Sequence, residues 1–209
     1  MLQCMAVMNS PATKLQVGAI VLAAGGSTRM GEPKQLLPID GRPMVRHVVE
    51  VVCAAGLAQV VVVVGAEAQP VTRALAGLSV QISFNESWAR GLSDSLKTGL
   101  DALRPEIQAT LIVLADQPGL TTDLLQSLAA RYQATRARVV APYYQGHRGN
   151  PVLFDRVLFQ ELRAVEGDRG GRDILERHRD WVERVDVDTP AVLLDVDTFE
   201  DYERVQNHS

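Results

Sequence analysis

Between Leu22 and Lys34 the chain reads Leu-Ala-Ala-Gly-Gly-Ser-Thr-Arg-Met-Gly-Glu-Pro-Lys. Three glycines, Gly25, Gly26 and Gly31, let the backbone turn tightly and bring N–H groups to a ligand. Arg29 and Lys34 add two cations to the same short segment. An arginine grips phosphate oxygens in a planar fork, and a lysine supplies a compact point charge. Together they form a local anion cradle. It is not a Walker A loop, because Glu32 and Pro33 stand where Lys and Ser/Thr are required. It is not a dinucleotide fingerprint either, since Ser27 occupies the second glycine position. A plain βα turn accounts for the glycines but not for the two cations.

Two groups of acids complement the cradle. Asp116 follows the apolar run 111–114 and opens the loop Asp-Gln-Pro-Gly. A carboxylate at a strand's carboxyl end is well placed to hold Mg²⁺ beside a triphosphate, where the cation screens the leaving pyrophosphate. The competing reading is a turn aspartate. The late segment Asp195-Val-Asp-Thr-Phe-Glu-Asp201 holds four acids. Thr198 suits the cap of a final helix, and Glu200 and Asp201 suit its positive first turn. Asp197 reads equally as a metal ligand or a structural acid, and Asp195 is the weaker candidate.

These residues need a scaffold, and the pattern supplies one. Val17–Ala23, residues 60–64, 80–84, 111–114 and 138–141 are strand-like. Helix-like stretches alternate with them, from about 43 to 55, from a cap at Ser93 to about 103, and from a cap at Thr121 or Thr122. Such repetition predicts an α/β fold with a doubly wound, mostly parallel sheet. Ligands then bind at the carboxyl ends of the strands, in loops 24–34, 85–91, 115–119 and 143–150. In the second of these, Gly91 allows close approach, and Ser93 and Ser95 lie near a helix start that favours anions. Trp88 reads as packing. Residues 147–151, His-Arg-Gly-Asn-Pro, are either a surface turn or an anion grip centred on Arg148. Residues 167–171, Gly-Asp-Arg-Gly-Gly, form a second loop suited to close as a lid.

With 209 residues, 46% of them apolar and 22% charged, the chain is expected to form one domain over residues 17–209 behind a disordered leader over 1–16. A net charge of -4 argues against nucleic acid as partner. Two cysteines, Cys4 and Cys53, make no disulfide framework, which suits a reducing cytosol, and no apolar run is long enough for a membrane span.

The pattern Leu22-Ala-Ala-Gly25-x-Ser27-x-Arg29-Met-Gly31-x-x-Lys34 resembles the signature of MobA-like nucleotidyltransferases, nearest to the molybdenum cofactor cytidylyltransferase branch. The resemblance implies a nucleotide-diphospho-sugar transferase-like, Rossmann-like three-layer sandwich. It implies that Leu22, Ala23, Ala24, Gly25 and Gly26 pass beside the base and ribose, with Arg29 and Lys34 on the phosphates. Gly91 and Ser95 would add nucleotide contacts, and Arg148, Gly149 and Asn150 would face the acceptor. Asp116, in Leu-x-Asp-x-Pro context, would hold Mg²⁺, with Mn²⁺ as a substitute, and Asp197 would correspond to a second ligand. Where the guanylyl branch has Leu-Ala-Gly-Gly, Ala24 narrows the loop and favours CTP. The implied reaction is transfer of CMP from CTP to molybdopterin-Mo, for a client molybdoenzyme. Two rival readings are a sugar- or alditol-phosphate nucleotidyltransferase of the same fold and a non-catalytic cofactor chaperone.

Overall fold

The computed structural model describes residues 15–26, 30–168 and 170–206. Arg29 and most of the expected leader lie outside them. Leu15 and Gln16, the end of that leader, are tied to the domain by hydrogen bonds to Gln133 and Gln108.

The described strands are β1 (Val17–Ala23), β2 (Pro38–Ile39), β3 (Arg42–Pro43), β4 (Gln59–Val64), β5 (Gln81–Phe84), β6 (Ala109–Leu114), β7 (Val139–Tyr144), β8 (His147–Arg148), β9 (Val152–Asp155) and β10 (Val182–Asp186). The helices are α1 (Met44–Ala54), α2 (Ala68–Ala74), α3 (Leu92–Asp101), α4 (Thr122–Thr135), α5 (Phe159–Arg163), α6 (Arg172–Arg177) and α7 (Phe199–Gln206). The main sheet runs β10-β7-β9-β6-β1-β4-β5, with β8 paired to β7. Strands β6, β1, β4 and β5 are mutually parallel, and β9 is antiparallel to both β6 and β7. The sheet is therefore mostly parallel, and β1 is central and wholly buried.

Period-two alternation in β1 divides the core. Ala19, Val21 and Ala23 face α1, α2 and α4, whereas Ile20 and Leu22 face α3, α5 and α6. In α1 the apolar residues Val45, Val48, Val49 and Val52 fall on one helical face, and all are buried. Each such side chain contributes on the order of 1.5–3 kcal/mol by leaving water. Helix α3 packs tightly on β1: a Cβ on Gly99 would collide with Ile20.

Helix α3 corrects one expectation. Its cap position is Gly91, and Ser93 is buried inside the first turn without a capping bond. The helix starts earlier because residues 167–168 satisfy its first donors: Leu92 N–H donates to Asp168 Oδ1 at 3.2 Å and Ser93 N–H to Gly167 O at 3.0 Å. Elsewhere Thr121 caps α4 through the Leu124 N–H, as its sequence position suggests.

Candidate active site

The carboxyl ends of β1 and β6 deliver the first parts of the site. Beyond β1 the chain passes through Ala24, Gly25 and Gly26, and beyond β6 through Ala115, Asp116 and Gln117. The Lys34–Leu36 turn then brings Lys34 back under the loop, with the buried Gln35 donating to Gly25 O at 2.7 Å. Loop and lysine therefore share one seat.

Lys34 is the electrostatic centre. Its ammonium lies 2.6 Å from Asp116 Oδ2 and 2.8 Å from Asp197 Oδ1, uniting residues 82 and 163 positions away. Burial alone would lower the lysine pKa, but the two carboxylates outweigh it and hold Lys34 above its ordinary value. The late acidic segment reaches the site through backbone and side chain together. Val196 N–H donates to Asp116 O at 2.9 Å, and the buried Gln117 amide donates to Asp195 Oδ1 at 2.5 Å. Burial, followed by the Asp116 charge, pushes the Asp195 carboxyl above the usual aspartate value. Asp195 is thus a tie for Gln117, whereas Asp197 faces the same cation as Asp116. Thr198 and Asp201 close the segment reciprocally: Asp201 N–H donates to Thr198 Oγ1 and Thr198 N–H to Asp201 Oδ2.

These oxygens fit a divalent cation that also takes phosphate ligands. Asp116 Oδ1 is buried with no hydrogen-bond partner, an acceptor left over in a site of charged neighbours. Among the described residues no cluster of three or more His, Cys, Asp or Glu residues could hold a metal by itself. Magnesium beside a triphosphate needs only one or two protein carboxylates, because phosphates and water complete its octahedron.

Two adjoining cavities open here. The smaller, about 360 Å³, is walled by Leu22, Ala24, Gly25, Gly26, Gly91 and Ser95 among others. Ala23 lines neither cavity; it is one residue out of phase with Leu22 and Ala24, so its side chain enters the opposite core. Ser95 is already engaged by the buried Asn85, whose Nδ2 donates to its Oγ at 2.9 Å. Trp88 packs against Gly26, where a Cβ would stand 3.0 Å from the ring. The larger cavity, about 630 Å³, has Leu92, Leu96, Ile112 and Phe154 on its apolar walls and Arg148, Gly149, Asn150 and Arg172 at polar positions. Lys34, Asp116 and Asp168 line both. Gly149 also has a packing reason: Val192 lies against it, and a Cβ there would collide with the Val192 carbonyl oxygen.

Comparison with known proteins identifies the family. The model of the MobA-like NTP transferase domain matches residues 19–182. The chain belongs to that family. It is 32% identical to nicotine blue oxidoreductase of Paenarthrobacter nicotinovorans over 199 residues, 90% of this chain and 96% of that one. The crystal structure of Rv0371c from Mycobacterium tuberculosis H37Rv superposes with a TM-score of 0.85 at 31% identity, covering 93% of this chain and 99% of the other. A nucleotidyl transferase from Methanothermobacter thermautotroptrophicus gives 0.80 at 25% identity, covering 92% and 97%. This MobA-like chain is a nucleotidyltransferase.

The MobA-like site also holds residues that motif reading passes over. Gln35 and Gln117 sit directly after Lys34 and Asp116, but their partners are 10 and 78 residues away, so only folding reveals them. Arg172 follows the Gly-rich loop 167–171 at once, a cation next to glycines, and that was a legible signal. Asp168 belongs to the same loop, which is docked on the start of α3 and forms a wall shared by both cavities.

Proposed function

We propose that this nucleotidyltransferase moves CMP from CTP to a phosphorylated acceptor of the molybdopterin-Mo type and releases pyrophosphate. The observation that carries the reading is Lys34 between Asp116 and Asp197, where the nucleotide-sized cavity meets a larger one edged by Arg148. Leu22, Ala24, Gly25, Gly26, Gly91 and Ser95 border the base and ribose. Lys34, with Arg29, neutralises the triphosphate. Arg148, Gly149 and Asn150 receive the acceptor, whose pterin ring face can lie against the walls formed by Ile112 and Phe154. A phosphate oxygen of the acceptor attacks the α-phosphorus in line, and the bond to the bridging oxygen of pyrophosphate breaks. That nucleophile is already ionised near neutral pH, so positioning and charge neutralisation carry the rate and no general base is required. Asp116 and Asp197 would hold a divalent cation, which when bound polarises the phosphate and screens the departing charge. Rv0371c is known as a manganese complex, which supports Mn²⁺ beside Mg²⁺ as candidates.

The preference for CTP rests on Ala24, whose methyl occupies the loop beside the base. Among the described residues no helix is long and apolar enough to cross a membrane, and we place the protein in the cytosol with a molybdoenzyme as client. The deciding experiment is pyrophosphate release from each of the four ribonucleoside triphosphates, with molybdenum-loaded molybdopterin or a panel of sugar and alditol phosphates as acceptor. Turnover with CTP and the molybdenum-loaded cofactor is expected. Turnover only with a sugar phosphate moves the protein to another acceptor class, and tight cofactor binding without pyrophosphate makes it a chaperone. Because one relative is named an oxidoreductase, oxidation of NADH and NADPH belongs in the same screen.

A further inference from the structure

Lys34 holds the oxygens that a divalent cation would need. Its ammonium contacts Asp116 Oδ2 at 2.6 Å and Asp197 Oδ1 at 2.8 Å, with Asp116 Oδ1 buried beside them. Lys34 retains 15% and Asp116 20% of their side-chain exposure, so bulk water screens that contact poorly, whereas Asp197 is 47% exposed. A cation arriving alone meets two carboxylates already paired with one ammonium, which offsets half their charge and has little water to retreat into. A triphosphate changes the balance. It brings several negative charges to the Gly25–Gly26 loop, which Gln35 ties to the Lys34 turn at 2.7 Å. The four-carbon lysine stem can then swing its head to a phosphate while its backbone stays in place.

We infer that Lys34 couples the two ligands: it opposes a divalent cation at Asp116 and Asp197 until a triphosphate draws its ammonium away. Metal and triphosphate consequently bind as a cooperative pair, and a bare cation binds weakly. The inference rests on the proposed nucleotidyl transfer only for the triphosphate; the competition between Lys34 and the cation stands on the carboxylate geometry.

Titration of Mn²⁺ without nucleotide, followed by electron paramagnetic resonance, tests the competition directly. Lys34→Met removes the charge and keeps the length. It should bind Mn²⁺ at least about tenfold more tightly than the wild type, and Asp116→Asn should abolish the gain when combined with it. Mn²⁺ should also raise the melting temperature of Lys34→Met more than that of the wild type, because binding to the native state stabilises by mass action. A variant that folds only when Mn²⁺ is added supports the inference equally. Mn²⁺ affinity in Lys34→Met equal to or below that of the wild type overturns it, as does a variant that Mn²⁺ neither binds nor stabilises. With a non-hydrolysable CTP added, its phosphate oxygens should raise Mn²⁺ affinity in both proteins, but by a larger factor in the wild type than in Lys34→Met; an equal rise in both overturns the coupling. The nucleotide-free arm uses no turnover, so a failed pyrophosphate assay and a failed competition are separate results.

Discussion

The two walls of the cleft handle charge in opposite ways. At the strand ends, one Lys34 ammonium is paired with two carboxylates, Asp116 at 2.6 Å and Asp197 at 2.8 Å. Across the larger cavity, the Arg148 and Arg172 side chains have no ion-pair or hydrogen-bond partner among the described residues. One wall is internally paired, and its charges must be redistributed before it engages phosphate and metal. The other keeps spare positive charge ready for an anion. A phosphoryl-transfer site benefits from both arrangements. The reacting centre has to be ordered in advance, whereas the acceptor has only to be drawn in and oriented.

The largest effect is expected at the paired wall. Asp116→Asn keeps the shape and removes the charge, and it should lower turnover by about a thousandfold or more, the scale for losing a preorganised electrostatic element in a dry site. Pyrophosphate release at saturating substrates, with circular dichroism to verify folding, checks this. Near-normal turnover by a folded variant would remove Asp116 from the chemistry. The base preference comes next. CTP should be favoured over GTP by about 10- to 200-fold in kcat/KM, the range set by one missed polar pairing plus a steric clash. Ala24→Gly should narrow that ratio without inverting it, and equal use of both triphosphates by the wild type would defeat the pyrimidine assignment. The spare cations should matter less. Arg148→Ala and Arg172→Ala should each raise the acceptor KM by about tenfold, roughly 1.4 kcal/mol, and leave the KM for nucleotide unchanged. A rise in the nucleotide KM instead would mean that the two walls are not separate in function.

The paired wall was readable in the sequence residue by residue but not as an assembly. A wholly apolar run ending in a Gly-rich, cationic loop identified β1 and the cradle, because buried parallel strands carry that composition. Asp116 was legible for the same reason, at the end of another apolar run. Nothing local announces that Lys34 would lie between Asp116 and Asp197, since that contact spans 163 residues. Strands β9 and β10 also escaped the reading: β9 is a four-residue run and β10 an edge strand of alternating charge, Val-Glu-Arg-Val-Asp. Ser93 misled because serine ahead of an amphipathic run usually caps it. Here Gly91 has φ 117° and brings residues 167–168 against the helix start, so the capping came from another loop.

The smallest effect separates position from chemistry within the late acidic segment. Asp197 and Asp201 are four residues apart in one motif, yet they face different partners. Asp197 reaches Lys34, and Asp201 Oδ2 accepts from the backbone N–H of Thr198 at 3.0 Å and from its hydroxyl at 2.7 Å. Asp197→Asn should therefore slow turnover while leaving stability nearly untouched, because its side chain is 47% exposed. Thr198→Ala should do the reverse. It removes the cap acceptor for Asp201 N–H, which costs about 1 kcal/mol, and in a domain of this size that lowers the melting temperature by about 2–4 °C. The rate at saturating substrate should stay within about twofold of the wild type, since Val196 N–H to Asp116 O still anchors the segment upstream of α7. A large loss of rate in Thr198→Ala without loss of stability would show that the start of α7, and not the Val196 tie, sets the position of the Asp197 carboxylate.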